Sequence, residues 1–334
     1  MIYARALGDA LHQALAENEQ VVVLGEDIAD PYGGAFKVTR GLSTAFPKRV
    51  RTTPISEAAI AGVAAGLALA GYRPIAEVMF GDFLALCFDQ ILNHITKYQA
   101  MYNGNATCPV VIRTPSGGGR GYGPTHSQSI EKHMLGIPHL RVVAGSLLHD
   151  PDEVLRHLLA DDTPAIHVEH KLLYALDMIE PGQLIGATVQ SCGGQSGLPM
   201  IAVRYGPRSE CTATVIAYGY QAELARRVQA RLALEEEIFV ELLVTAQLAP
   251  LELDPILDSA AATGALVTLE EGTSGWSWGT EIAAEAGRRL FGSLRRPVEV
   301  VASGSDVIPS SRGPERDLLV GEEQIEAAIL AVAA

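Results

Sequence analysis

Three side chains in the first half of the sequence are of a type, and in a setting, that could handle a proton or a flat ring. Glu57 ends the segment Thr53-Pro-Ile-Ser-Glu57 and is followed by an apolar, glycine-marked run over 58–71. Pro54 stiffens a turn, Ser56 is suited to cap a helix, and Glu57 then sits in the first turn, where the positive helix end favours a carboxylate. A carboxylate at the lip of so apolar a helix is costly to desolvate, which suits proton handling as well as plain capping. Phe83 closes Met79-Phe-Gly-Asp-Phe83 and offers either a flat face for a heteroaromatic ring or a core side chain. His126 lies between Thr125 and Ser127 in the glycine-rich stretch 116–129. A loop histidine flanked by hydroxyls suits acid/base work or simple surface placement. Arg120, within the same stretch, reads as solvated.

The elements that must position these groups follow from periodicity. Helical spacing covers 3–17, 21–24 reads as a short buried strand, and the segments 75–79, 109–113, 140–144 and 165–169 read as further strands. Helical spacing recurs over 39–46, 83–102 and 152–159, and 58–71 reads as a buried helix. Strands alternating with helices make an α/β chain with mostly parallel sheet covered on both faces. Functional groups of such sheets collect at the carboxyl ends of the strands, where Glu57, 79–83 and His126 all fall. Residues 181–208 turn to Gly, Ser, Pro and Gln without periodicity and read as a linker. They separate a domain at 1–180 from a second α/β domain at 209–334. The latter has strands expected at 213–217, 238–243, 266–270 and 298–301, and helices at 221–234, 254–263, 279–290 and 322–332.

The totals exclude several classes. A chain of 334 residues with 48% hydrophobic and 19% charged side chains is a well-buried globular protein. A net charge of -14 argues against nucleic acid or an anionic membrane as partner. Cys87, Cys108, Cys192 and Cys211 are scattered, with no C-x-x-C pair, as expected of reduced thiols in the cytoplasm. No apolar signal region precedes the first helical pattern, and no run is suited to span a membrane. The glycine stretch is neither a Walker loop nor a dinucleotide fingerprint. From residue types alone, the chain is a two-domain α/β enzyme with a Glu, a His and an aromatic at its site.

A set of segments in fixed order is more specific. These are Gly25-Glu-Asp, Gly34-Ala-Phe-Lys-Val-Thr-Arg-Gly-Leu42, Thr53-Pro-Ile-Ser-Glu57, Arg73-Pro-Ile-Ala-Glu-Val-Met-Phe-Gly-Asp-Phe83, Ile112-Arg-Thr-Pro115, His126-Ser-Gln-Ser129 and Glu169-His-Lys-Leu-Leu-Tyr174. Through them the chain resembles the β subunit of the thiamine-diphosphate-dependent dehydrogenase component of 2-oxo acid dehydrogenase complexes, of the pyruvate, branched-chain 2-oxo acid or acetoin type. The resemblance is dense to Tyr174 and looser beyond. It implies a transketolase-like pyrimidine-binding domain followed by a transketolase C-terminal-like domain. It implies that Glu57 hydrogen-bonds the pyrimidine ring of thiamine diphosphate and favours its imino tautomer, that Phe83 and Met79 flank that ring, and that His126 assists transfer to an incoming lipoyl group. Glu26 matches a position of an acidic channel between paired sites. The backbone carbonyls of Val110, Leu158, Asp161 and Thr163 match positions that hold a structural potassium ion.

No Gly-Asp-Gly with a downstream Asn is found, so the resemblance assigns the Mg2+–diphosphate half of the site to an α subunit. The expected assembly is an α2β2 heterotetramer, an oxidoreductase active only as a complex, which decarboxylates a 2-oxo acid or cleaves acetoin and acylates a lipoyl carrier. Two departures affect docking to an acyltransferase core: Thr245-Ala-Gln-Leu-Ala-Pro250 has no Arg, and Ile308-Pro-Ser-Ser-Arg-Gly-Pro314 differs from the usual segment. The alternatives are the C-terminal half of a split transketolase and a non-catalytic scaffold subunit of the same fold.

Overall fold

The computed structural model describes residues 1–195 and 197–333. The chain opens with the helix Tyr3–Glu17, which buries Tyr3, Leu7, Leu11 and Leu15 along one face and packs on the helix Pro151–Ala160. The first half supplies β1 (Val21–Glu26), β2 (Val50–Thr53), β3 (Arg73–Glu77), β4 (Val111–Ser116), β5 (Arg141–Ala144) and β6 (Ala165–His170). The second supplies β7 (Ala187–Cys192), β8 (Met200–Tyr205), β9 (Ala213–Ala217), β10 (Val240–Val244), β11 (Gln247–Ala249), β12 (Leu266–Thr273) and β13 (Glu299–Ser303).

Two sheets result. One has the order β11-β5-β6-β4-β3-β1-β2, parallel except for β11. The other runs β13-β12-β9-β10-β8-β7, parallel up to β10 and antiparallel beyond. β1, β4, β5 and β6 are buried at every position, as expected of parallel strands covered on both faces. One apolar cluster runs through both halves, from Ile60 and Ala64 to Ile216, Leu243 and Trp278. Among the described residues no helix is long and apolar enough to cross a membrane.

Four expectations are corrected. Residues 181–208 carry β7 and β8, an antiparallel pair that joins the second sheet, rather than a bare linker. β7 alternates half-buried with exposed positions, so an edge strand with few apolar side chains reads as loop. The region 83–102 is an irregular succession of a 3-10 turn at Gly81–Cys87, a π turn at Gln90–Ile95 and an α turn at Tyr98–Met101. The helix Glu57–Leu69 is buried on one face only, with Ala59, Gly62, Val63, Gly66 and Leu69 exposed. β11 was not expected at all; it leaves the second half to close the edge of the first sheet against β5.

Beneath the first sheet, strand register stacks a buried ionic group. Glu77 on β3 pairs in register with Arg113 on β4, and Pro115 on β4 with Glu169 on β6. The Arg113 guanidinium bonds both carboxylates, with Nε 2.8 Å from Glu169 Oε1, and Tyr174 donates its hydroxyl to Glu169 at 2.6 Å. Burial works against the guanidinium charge, but Glu169 and Glu77 beside it outweigh that and hold its pKa above the ordinary value.

Candidate active site

The site is built on the carboxyl ends of adjacent strands. β1 ends in Glu26, opposite Thr53 at the end of β2, and the turn after β2 delivers Glu57 to the first position of its helix. Ser56 has the extended backbone of an N-cap, although its side chain makes no capping hydrogen bond. Both carboxyls are buried, at 3% and 6% exposure. Burial, then the charges of Glu57, Asp27 and Glu77, raises the pKa of Glu26, and its Oε1 has no hydrogen-bond partner. A buried carboxyl oxygen left unsatisfied is a place for a proton or a ligand donor.

From β3 the chain passes through half-buried Met79 and Phe80 into the turn Gly81–Cys87. The His126 ring lies edge-on to Phe83 at 5.1 Å and to Phe80 at 4.8 Å between ring centres. His126 Nδ1 is 2.9 Å from Thr125 Oγ1. The turn packs on the helix Glu57–Leu69, and its last residue, Cys87, has a thiol pushed up to about 12 by burial and then by the charge of Glu57. One short turn therefore links the Glu57 end of the site to the Phe83–His126 end.

The glycine-rich stretch after β4 is anchored from the second half of the chain. Gly117 has φ +87°, and a Cβ there would lie 2.1 Å from His170 Nε2, so only glycine fits. Gly118 donates its N–H to Glu271 at 2.7 Å, and Gly119 and Gly121 donate theirs to Glu315 at 3.0 and 2.8 Å. Underneath, the fully buried Lys171 donates Nζ to the His126 carbonyl at 2.6 Å and stands 5.4 Å from the Phe80 ring centre. Burial brings its pKa down to about 8. Arg120 is engaged, not solvated, because the stretch folds back over the residues after β6. Its Nη2 donates to the Lys171 carbonyl at 2.9 Å, and its guanidinium lies 5.6 Å from the Phe36 ring centre.

Two neighbouring carboxyls at this junction titrate in opposite directions. Burial would raise Glu271, but His170 Nε2 at 2.7 Å, the Gly118 N–H and the Ser129 hydroxyl at 2.9 Å bring it to about 2. Glu131 is pushed up to about 8 by burial, then by the charges of Glu271 and Glu270, and its Oε2 has no partner.

Lys171, Phe80, Glu271 and Glu315 were not singled out in the sequence. Lys171 and Phe80 lie inside quoted segments, so only their burial was missing. Glu271 and Glu315 act across the fold, and local pattern holds no sign of them.

The four carbonyls matched to a potassium site are already engaged. The Val110 carbonyl accepts the N–H of Ala165 at 2.9 Å, and that of Asp161 accepts Arg73 Nη1 at 2.8 Å. Those of Leu158 and Thr163 both accept Arg141 Nη2, at 3.1 and 3.2 Å.

The transketolase pyrimidine-binding domain matches residues 1–176, and the transketolase C-terminal domain matches 206–325. The acetoin:2,6-dichlorophenolindophenol oxidoreductase subunit beta of Cupriavidus necator is 34% identical over 332 residues, covering 97% of this chain and 94% of that one. The pyruvate dehydrogenase E1 component subunit beta of Leifsonia xyli is 36% identical over 313 residues, covering 92% and 88%. The chain belongs to this family of dehydrogenase β subunits built from two transketolase-type domains. A solved structure titled "Split gene transketolase, inactive beta4 tetramer" aligns with a TM-score of 0.74 over 100% of this chain and 99% of that one, at 24% identity, a likeness of fold alone.

Proposed function

We propose that this chain is the β half of a thiamine-diphosphate-dependent dehydrogenase, completed by an α subunit in an α2β2 heterotetramer. The observation that carries this reading is the placement of Glu57. Its buried carboxyl starts a helix whose opposite face, with Val63 at 55% exposure, is apolar and uncovered. Ile55 and Leu86 beside it are 81% and 59% exposed, and open space lies above Gly62 and Gly66, so another backbone can approach closely. Apolar surface of this extent beside a buried carboxyl fits a partner that also encloses a ligand.

The orphaned oxygen of Glu26 and the aromatic wall of Phe80 and Phe83 fit a flat, hydrogen-bonding ring. When bound, the cofactor supplies the carbanion-stabilising chemistry that breaks the bond next to a carbonyl. Glu57 would hydrogen-bond a ring nitrogen of the cofactor, Phe83 and Met79 would flank the ring, and Glu26 would supply a further carboxyl for passing protons. His126, at the rim, exchanges a proton with the incoming acyl acceptor, a lipoyl group on a carrier protein. Mg2+ is held by the α subunit. The free state of all four cysteines suits a reducing cytoplasm.

Calorimetric titration of thiamine diphosphate with Mg2+ tests the shared site: binding is expected only when the α subunit is present, and tight binding by this chain alone contradicts it. In the assembled complex, Glu57→Gln is expected to lower turnover by about 10²–10⁴-fold. Near-full turnover would remove Glu57 from the mechanism.

A further inference from the structure

The loop 158–163, between the helix Pro151–Ala160 and β6, raises a problem that needs a positive charge. Leu158 lies in the last turn of that helix, where carbonyls lack partners and the helix end is partly negative. The Thr163 carbonyl turns toward the same point, and the Asp161 carboxylate adds a full negative charge. The resemblance places a potassium ion here.

In this chain the charge arrives from β5. Arg141 is 5% exposed, an unusual depth for an arginine. Its Nη2 donates to the Leu158 and Thr163 carbonyls, and its Nη1 lies 3.0 Å from Asp161 Oδ2 as a charge contact, with Nη1 and Nε making no hydrogen bond. The loop is closed on its other side by Arg73, with Nη1 on the Asp161 carbonyl at 2.8 Å and Nη2 on Asp162 Oδ1 at 2.7 Å. The Val110 carbonyl is spent on the Ala165 N–H within the sheet, and the Thr163 N–H bonds Asp161 Oδ1 at 2.6 Å. We propose that the Arg141 guanidinium occupies the place of the potassium ion, so that this subunit carries its cation covalently and binds no monovalent metal at 158–163.

The physical reasoning is direct. The guanidinium takes two of the four carbonyls, those of Leu158 and Thr163, and a second cation at those oxygens would meet its charge at close range. A tethered guanidinium loses no translational freedom on folding and cannot be washed out by dialysis. The inference does not depend on the catalytic roles given to Glu57 or His126.

The test compares the full chain, alone and with its α subunit, in potassium, sodium and tetramethylammonium chloride at matched ionic strength. The wild-type melting temperature is expected to be the same in all three, and crystals soaked in thallium(I) should show no anomalous peak among the Leu158 and Thr163 carbonyls. A melting temperature that rises and saturates with potassium, or a thallium peak at those oxygens, overturns the proposal. Arg141→Ala should melt lower than wild type in tetramethylammonium and recover part of the loss in potassium. If it folds and shows no preference for potassium, the equivalence of guanidinium and ion is wrong. Should it fail to fold, the wild-type thallium experiment still decides.

Discussion

Two regions of this protein bury carboxyls to a similar depth and treat them differently. Under the first sheet, Glu77 and Glu169 share Arg113, and Tyr174 adds a hydroxyl. At the junction between the halves, Glu271 is surrounded by donors while Glu131 has an oxygen without one. Burial is common to both places, so it does not by itself decide which carboxyl keeps its charge. Between Glu271 and Glu131 the supply of N–H and O–H groups does, whereas at Glu77 burial outweighs Arg113 and raises the pKa. The first region is an ionic brace between strands. The second sits beneath the loop that presents His126 and contains groups, Lys171 and Glu131, whose pKa values lie near 8.

Arg113→Met should show the largest effect, because it strands two carboxylates in the interior. A loss of about 3–5 kcal/mol in urea unfolding is expected, the range for breaking a buried ion pair from one side. A loss under about 1 kcal/mol would mean that the brace is not what separates the two regions.

Glu271→Gln comes next. The amide keeps the shape but gives up the charged partner of His170, at a cost of about 1.5–3 kcal/mol for a hydrogen bond to a charged group. Faster amide hydrogen exchange is expected across 117–129, and unchanged protection there would show that Glu271 does not anchor the loop.

Glu131→Gln is the most diagnostic of the three, because near pH 4.5 its effect is small and it grows with pH. The folded state holds the Glu131 proton up to about pH 8, while the unfolded chain releases it near 4.5. Native stability therefore falls as pH rises between those values, at about 1.4 kcal/mol per unit for a single group, and levels off above the higher one. The variant should melt close to wild type near pH 4.5 and above it at pH 8. Parallel melting curves for both proteins across that range would contradict the raised pKa.

Much of the fold is legible in local pattern. The first helix follows from the spacing of Tyr3, Leu7, Leu11 and Leu15, and short apolar runs mark β1 and β5. What escaped depends on distant partners. β7 is a strand because β8 and the second sheet accept it, not because its own residues alternate strongly. Arg120 looks like a surface residue until the Lys171 carbonyl and the Phe36 ring are brought to it. Glu57 and His126 could be picked out as proton-handling types, but that one turn links their neighbourhoods is a property of the packed chain. The place of Arg141 was hidden for the same reason: carbonyls leave no trace in residue types, and the residue that meets them comes from another strand.

The three residues of β11 have a consequence out of proportion to their length. Without them β5 would be a bare sheet edge, with its backbone groups free to recruit another chain. A fragment ending anywhere in 181–208 would carry that edge into solution, however complete its own strands and helices. The second half thus acts as a built-in chaperone for the first, and a genetic split at the apparent boundary would produce a piece prone to aggregate before it ever met a partner.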